Sequence, residues 1–290
     1  MTVLRSLLFV PGNKPDMLSK SLGLDPDVVV PDMEDSVPDP EKSNARDVVA
    51  SFLPRLAARP PLVVPRVNAL ETPWANDDIA AVVGPHVFGI SIGKIRTPGE
   101  IADVSSRLDA LERRAGLETG TIRLIPWIET AEAIVRCFEI LTASARIVGA
   151  GFGAEDYTND MGIERLDDES QLGYARSALC TAARAAGVLA FDTPYFKFRD
   201  PVGLRDNSLA AKHLGFKGRF AIHPAQIDTI NACFAPSEEE IEQARRVVAA
   251  YEEAEGRGRG STSLDDRVID VPVVKRARAV LEIAGRTPSS

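Results

Sequence analysis

Short apolar runs alternate with longer segments of helical spacing along most of the chain. Runs rich in Val, Ile, Leu and Phe predict eight strands, at 5–10, 27–31, 62–67, 88–92, 121–126, 146–149, 188–191 and 219–222. Apolar residues recur every three or four positions over 40–56, 98–111 and 170–186, which predicts helices there. Strand–helix alternation is typical of parallel strands joined by crossover helices. Eight such units within about 230 residues favour an α/β fold of the TIM, or (β/α)8, barrel type.

The pattern changes after residue 235, so we predict a barrel over 1–235 and a C-terminal helical extension over 236–290. The extension begins with a charged helix over 236–255. A Gly- and Arg-rich stretch over 256–263 has the composition of a flexible turn region. Asp270 and a basic helix follow. We expect this segment to act as a cap that packs on a neighbouring subunit.

Charge narrows the possible partners. The 290 residues carry a formal net charge of −8. A chain this acidic is unsuited to binding nucleic acid through its overall field. An anionic substrate must therefore be held by local cations or by a metal.

The apolar runs also bear on location. The first run ends at Pro11-Gly12, which predicts a strand and not a signal peptide. No apolar run reaches the ~18 residues of a membrane helix. We expect a cytoplasmic protein without a membrane partner.

Polar residues at the carboxyl ends of the predicted strands are the candidates for chemistry, because barrel enzymes place their active sites there. Asp32, Glu34 and Asp35 follow the second strand and repel one another, so a metal or a basic side chain must offset them. The alternative is a helix cap with solvated charges.

Arg66 follows the third strand. Its planar fork suits a substrate carboxylate or thioester oxygen, and a structural pairing with Glu34 or Asp35 is compatible with that role.

Glu129 and Asp156 follow the fifth and sixth predicted strands, which are neighbours in a barrel. Two carboxylates with open positions for substrate and water are how Mg²⁺ is usually held. The three histidines form no zinc-binding spacing, so zinc fits poorly. We therefore predict that Glu129 and Asp156 bind Mg²⁺, or Mn²⁺. Helix capping with salt bridges is the alternative.

Six strings occur in order over nearly the whole chain: RSLLFVPGN, PDMEDSV, PRVNALETPW, IPWIETAEA, GFGAEDYTNDMG and AIHPAQI. Together they resemble the citrate lyase β-subunit-like branch of the HpcH/HpaI aldolase family, close to malyl-CoA and citramalyl-CoA lyases. The resemblance implies a TIM barrel with Mg²⁺ on Glu129 and Asp156, substrate on Arg66, and Glu34 in the same pocket. It also implies that Asp270 reaches a neighbour's active site, in a homotrimer or a hexamer.

The function expected from this resemblance is Mg²⁺-dependent cleavage of a 3-hydroxyacyl-CoA, such as malyl-CoA or citramalyl-CoA, into acetyl-CoA and a 2-oxo acid, or the reverse reaction. Arg66 would stabilise the oxyanion, Glu34 would orient water and Asp270 would transfer a proton. Glu129 would also contact substrate. The coenzyme A tail would need cations at the rim, for which the candidates are Arg5, Lys14, Lys94 and Arg96.

Two departures from the family pattern affect substrate choice. Gly93 stands where relatives often carry proline, and Thr193 and Phe196 stand where relatives often carry glycine and a small residue. We expect both departures to leave the metal residues untouched.

Other activities stay open. They are a citrate lyase β subunit acting on citryl-acyl carrier protein, an aldolase of free 2-oxo acids, a thioesterase side activity and a non-enzymatic scaffold. The retained set of Glu34, Arg66, Glu129 and Asp156 argues against the scaffold, because a retired site has no reason to keep like charges near one another.

Overall fold

Parallel strands surround the core of the protein. The computed structural model describes residues 3–285. Within them, nine parallel strand segments fill eight positions, because one position is split in two. The segments are β1 (Ser6–Pro11), β2 (Val28–Asp32), β3 (Leu62–Val63), β4 (Arg66–Val67), β5 (Gly89–Ile92), β6 (Arg123–Ile128), β7 (Gly149–Phe152), β8 (Leu189–Asp192) and β9 (Gly218–Ala221).

The sheet closes on itself at β1. Strand β1 pairs in parallel with β2, where Leu7 lies opposite Val28, and with β9, where Ser6 lies opposite Arg219. All other neighbouring pairs around the sheet are also parallel. The predicted (β/α)8 barrel is therefore confirmed.

Within residues 3–285, helices and three short 3₁₀ turns follow the strands. The helices are α1 (Pro15–Ser21), α2 (Lys42–Leu56), α3 (Ala75–Val82), α4 (Pro98–Arg114), α5 (Ala131–Val135), α6 (Cys137–Thr142), α7 (Ala154–Met161), α8 (Gly173–Ala186), α9 (Pro201–Leu214) and α10 (Ile227–Phe234). Local sequence fixes where they begin. At α4, Thr97 Oγ1 accepts the Glu100 N–H while Glu100 Oε2 accepts the Thr97 N–H, and Pro98 occupies the first helical position.

Alternate residues of the strands fill the barrel interior, because successive side chains of a strand point to opposite faces. The interior cluster consists of Leu4, Leu7, Val28, Val30, Val64, Ile125, Trp127, Leu189, Phe191 and Phe220. Near the carboxyl ends, the rings of Phe9, Trp127 and Phe220 stack with centroids 4.3–5.8 Å apart. These three rings form the aromatic floor on which the polar residues above them rest.

Three strands depart from the predicted bounds by more than one residue or by an interruption. The third is interrupted at Val64 and Pro65, because proline has no N–H to donate to the ladder. The fifth and sixth end two and three residues later than expected, at Ile128 and Phe152. In the sixth, the β-branched run stops before Gly149, so a pattern based on strand propensity misses the glycine-rich part that pairs with its neighbours.

Residues 231–285, with Val3, form a second compact unit, whereas residues 4–230 form the first. The second unit contains α11 (Glu238–Gly256), β10 (Thr262–Leu264), β11 (Arg267–Ile269) and α12 (Val271–Ala284). Its core includes Val247, Tyr251, Ile269 and Val274. The predicted boundary, between 235 and 236, lies between α10 and α11. Packing on a neighbouring subunit stays a prediction.

A β-hairpin replaces part of the turn region predicted before α12. Strands β10 and β11 pair antiparallel around a two-residue turn of Asp265 and Asp266, whose φ angles are 49° and 58°. Left-handed angles at both turn positions match the right-handed twist of a hairpin. Asparagine and glycine are the usual signal for this turn, so the aspartate pair concealed it.

None of the helices in 3–285 combines the length and the apolar character that crossing a lipid bilayer requires.

Replacing Phe220 with alanine should destabilise the barrel by about 3–5 kcal/mol, since its ring is 1% exposed and packs on three other aromatic rings. Denaturant-induced unfolding measures this loss. Phe138→Ala is the matched control, because that ring is 51% exposed and should change the free energy of unfolding by less than about 0.5 kcal/mol. Equal effects of the two substitutions would contradict the interior placement of Phe220.

Candidate active site

A cavity of about 380 Å³ opens at the carboxyl ends of the strands. Five of its lining residues each follow an interior core residue by two positions: Asp32 after Val30, Arg66 after Val64, Glu129 after Trp127, Thr193 after Phe191 and Ile222 after Phe220. The same alternation that buries the core therefore points these five side chains inward, one layer above it. Phe9 and Trp127 of the aromatic floor line the cavity as well.

Arg66 is held by a two-pronged ion pair with Asp32. Nε and Nη2 of Arg66 donate to the two carboxylate oxygens of Asp32 at 2.7 and 2.8 Å. Burial alone would raise the pKa of Asp32, but the charge and hydrogen bonds of Arg66 bring that pKa below its ordinary value. The backbone N–H groups of Glu34 and Ser36 also donate to Asp32. The ion pair thus fixes both the arginine and the turn after β2.

The guanidinium lies over Phe9, with its carbon 4.5 Å from the ring centroid. Its remaining nitrogen, Nη1, contacts Glu34 Oε2 at 3.0 Å and Asp35 Oδ2 at 3.1 Å. The predicted pairing of Arg66 with Glu34 or Asp35 is therefore present. Its two-pronged partner Asp32 was not singled out from the sequence. The sequence did indicate it, because Asp32 lies two positions after Val30 and four after Val28, and therefore on the same face of the strand as these interior residues.

Lys94 lies at the centre of the acidic residues. Its backbone N–H donates to Glu129 Oε1 at 2.6 Å. Its Nζ lies 3.1 Å from Glu34 Oε1, 3.4 Å from Asp35 Oδ1 and 3.8 Å from Asp156 Oδ1. The residue adopts the left-handed region with φ 58°, which costs a side-chain-bearing residue about 1–2 kcal/mol. This placement argues against its predicted role in holding coenzyme A.

Two glycines let the carboxylates approach the backbone closely. A Cβ atom at position 93 would lie 2.8 Å from Glu34 Oε1 and 3.0 Å from Glu129 Oε1. A Cβ at position 153 would overlap Glu129 Oε2. The expectation that the departure at Gly93 leaves the predicted metal residues untouched is therefore wrong, because Gly93 lies directly against Glu129.

Glu129 is buried among other acids, which disfavours its ionised form. It is 3% exposed, and burial followed by the nearby charges of Asp156 and Glu34 raises its pKa to about 8. Burial also raises the pKa of Glu34 and of Asp156, although Arg66 and Lys94 oppose the rise. Five carboxylates (Asp32, Glu34, Asp35, Glu129 and Asp156) face the cations of Arg66 and Lys94. When all are ionised, three negative charges are in excess.

The donor set fits a hard divalent cation. Glu129 follows β6 and Asp156 lies in the first turn of α7 after β7, and these two strands are paired. Both residues line the cavity and offer only oxygen donors. No group of three or more acid, histidine or cysteine side chains in 3–285 has the arrangement of a closed metal cage. Two carboxylates with open positions are instead the usual arrangement for Mg²⁺.

The other predicted residues lie in different places. Arg5 precedes β1 at the opposite end of the barrel and forms a two-pronged pair with Asp27 at 2.8 and 2.9 Å, so its predicted place at the rim is wrong. Lys14 and Arg96 are exposed and follow β1 and β5 at the cavity end. Asp270 belongs to the second unit, where its carboxylate caps α12 by accepting the Val273 N–H at 3.2 Å.

The loop after β8 supplies one wall of the cavity. Thr193 is buried, and its hydroxyl accepts the Ala154 N–H at 3.4 Å. Phe196 is 49% exposed, with the Arg165 guanidinium carbon 5.3 Å from its ring centroid. The two residues of this loop that depart from the family pattern thus both line the cavity.

Comparison with known proteins agrees with this arrangement. The family described as HpcH/HpaI aldolase/citrate lyase matches residues 5–224. The citrate lyase subunit beta of Leuconostoc mesenteroides subsp. cremoris is 37% identical over 280 residues, covering 97% of this chain and 93% of the relative. A (3S)-malyl-CoA thioesterase of Cereibacter sphaeroides is 32% identical over 277 residues, covering 96% and 93%.

A solved structure agrees over the full length. Protein CitE from Mycobacterium tuberculosis, in complex with magnesium, acetoacetate and coenzyme A, is 27% identical with a TM-score of 0.81. The match covers 98% of this chain and 99% of that chain. The resemblance drawn from the sequence is confirmed: this chain belongs to the HpcH/HpaI aldolase/citrate lyase family and is a carbon–carbon lyase.

Proposed function

We propose that this protein is a Mg²⁺-dependent lyase that cleaves a 3-hydroxyacyl-CoA, such as malyl-CoA or citramalyl-CoA, into acetyl-CoA and a 2-oxo acid, or catalyses the reverse reaction. The observation that carries the proposal is the excess of carboxylates around one buried arginine, above an aromatic floor. Relatives that carry the names citrate lyase and malyl-CoA thioesterase, and a neighbour bound to magnesium and coenzyme A, support it.

Glu129 and Asp156 would hold the metal. When bound, Mg²⁺ supplies a Lewis acid that polarises the oxygen destined to become the 2-oxo carbonyl. The low exposure of Glu129 and the two glycines against it keep that carboxylate in one position. A ligand held this way needs little rearrangement when the cation arrives.

Cleavage moves one proton off the substrate hydroxyl and one onto carbon. The hydroxyl O–H bond breaks, its electrons form the new carbonyl, and the carbon–carbon bond breaks toward the thioester. The resulting thioester enolate takes up a proton to become acetyl-CoA. Each step is thus a proton transfer or a shift of electron pairs, without an external oxidant or reductant.

Arg66 would bind the anionic oxygens of the substrate and of the transition state. Asp32 grips two of its nitrogens, so the guanidinium is positioned before substrate arrives. Its Nη1 side, which contacts Glu34 and Asp35, is where a substrate oxygen would compete. A well-placed donor of this kind stabilises a developing oxyanion by roughly 3 kcal/mol.

Glu34 and Asp270 would handle protons and water. Glu34 lies between Arg66 and Lys94, where it can accept a hydrogen bond from a water or from the substrate hydroxyl. Asp270 of a neighbouring subunit would exchange the proton at the enolate carbon. Lys14 and Arg96 remain the candidates for the coenzyme A phosphates.

Two other activities have support from named relatives. Relatives named citrate lyase subunit beta favour the citrate lyase alternative, in which the expected substrate is citryl-acyl carrier protein. The malyl-CoA thioesterase relatives favour thioester hydrolysis. A free 2-oxo acid aldolase would differ from both, because it would need no thioester.

The direct test incubates the purified protein with malyl-CoA and with citramalyl-CoA, with and without Mg²⁺. We expect Mg²⁺-dependent release of glyoxylate or pyruvate together with acetyl-CoA. Release of free coenzyme A without a 2-oxo acid would replace the lyase by a thioesterase. Turnover of citryl-acyl carrier protein alone, or of free acids alone, would identify the corresponding alternative.

Glu129→Gln and Asp156→Asn should each lower Mg²⁺-dependent turnover by roughly 100-fold or more, because each removes a charged metal ligand but keeps its shape. Circular dichroism should show an intact fold. Glu132→Gln is the control, since Glu132 is exposed on α5 and pairs with Arg136. Full activity in Glu129→Gln would disprove the proposed metal site.

The raised pKa of Glu129 also predicts how stability depends on pH. In the folded protein, Glu129 keeps its proton at pH values between its ordinary pKa of 4.5 and its raised pKa of about 8. The folded state then binds more protons than the unfolded state, so the contribution of Glu129 to stability falls as pH rises through this window. Without metal, we expect the melting temperature of the wild type, measured relative to that of Glu129→Gln, to decrease as the pH rises from about 5.5 to about 8.5. Parallel pH profiles of the two proteins would contradict it.

A further inference from the structure

Lys94 is held in a way that an ordinary rim lysine is not. Its backbone takes a left-handed conformation that costs energy for a residue with a side chain. That conformation lets the N–H reach Glu129 while the ammonium reaches Glu34, Asp35 and Asp156. Lys94 therefore contacts the acidic cluster twice, through its backbone N–H and through its side-chain ammonium.

The Lys94 ammonium lies at different distances from three carboxylates. It lies 3.1 Å from Glu34 and 3.4 Å from Asp35, but 3.8 Å from Asp156. The side chain is 29% exposed, so it has room to move. Arg66 is 10% exposed and committed to Asp32, so it cannot make the same adjustment.

We propose that Lys94 is the resident counter-cation of this cluster, and that a divalent cation binds Glu129 and Asp156 by displacing the Lys94 ammonium from Asp156. The inference rests on the proposed function, since it assumes that this pair holds the metal. The longest ammonium contact is the one given up, and the contacts to Glu34 and Asp35 remain. The backbone bond to Glu129 keeps the loop in place while only the side chain moves.

The exchange has a consequence for affinity. An ammonium close to a bound divalent cation repels it, because like charges a few ångströms apart repel one another even through water. Lys94 therefore weakens metal binding while it stabilises the metal-free cluster. A lysine whose ammonium lay farther from Asp156 would oppose the metal less.

The test measures binding of Mg²⁺ alone by isothermal titration calorimetry, at the same pH for every variant. Lys94→Met should bind Mg²⁺ roughly tenfold more tightly than the wild type. Lys94→Arg keeps the charge and should stay within about threefold of the wild type. Arg96→Met is the matched control, because it removes one exposed positive charge two residues away and should change affinity by less than about twofold.

The outcomes separate this inference from the proposed function. Unchanged or weaker binding in Lys94→Met, with normal binding in the wild type, overturns the exchange alone. Absence of Mg²⁺ binding in the wild type overturns the metal site and the proposed function with it. An equal gain in Arg96→Met would reduce the effect to net charge and also overturn the exchange.

A second measurement does not depend on how well Lys94→Met folds. In wild-type protein labelled with ¹⁵N-lysine, the ammonium signal of Lys94 is the one missing from Lys94→Arg. We expect Mg²⁺ to shift this signal in step with calorimetric saturation. A Lys94 signal that stays unchanged at saturating Mg²⁺ would show that the ammonium is not displaced.

Discussion

The ion pair between Asp32 and Arg66 is the interaction on which the cavity depends. A guanidinium buried above an aromatic floor would be too costly to desolvate without a partner, and Asp32 supplies one through two hydrogen bonds. The same carboxylate holds the turn that presents Glu34, through the backbone N–H groups of Glu34 and Ser36. Removing Asp32 would therefore release the arginine and the acidic turn together. The remaining acids are arranged around a cation whose position is already set.

Strand alternation explains how much of this could be anticipated. Eight strands, and the candidates Glu34, Arg66, Glu129 and Asp156, follow from where apolar runs end. The alternation of Val28 and Val30 also placed Asp32 on the interior face, but with three acids so close together the sequence did not identify which one pairs with Arg66. The left-handed turn of Lys94 and its ion pairs depend on contacts between residues about sixty positions apart, such as Lys94 and Glu34, and no local pattern encodes them. Arg5 was misplaced for a simpler reason: it stands before its strand and not after it.

The acidic cluster combines two needs that conflict. Binding a divalent cation requires ionised carboxylates, whereas burying several of them together favours their protonation. Glu129 shows this conflict, with a pKa raised to about 8. Arg66 and Lys94 relieve it in different ways, since the arginine is fixed by Asp32 and the lysine is partly exposed on a flexible stem. A protein can thus remain folded without the metal and still leave a place for it.

Closure of the barrel also governs when the cavity can exist during synthesis. Its lining runs from Phe9 on the first strand to Ile222 after the last, and Ser6 pairs with Arg219 to seal the sheet. Contacts between such distant parts of a chain are slow to form, because a long loop must close first. A ribosome-bound chain that has not yet released β9 therefore has the acids but no enclosed site. The enclosed cavity should therefore arise in one step, on emergence of the final barrel strand, with no partly closed nascent form.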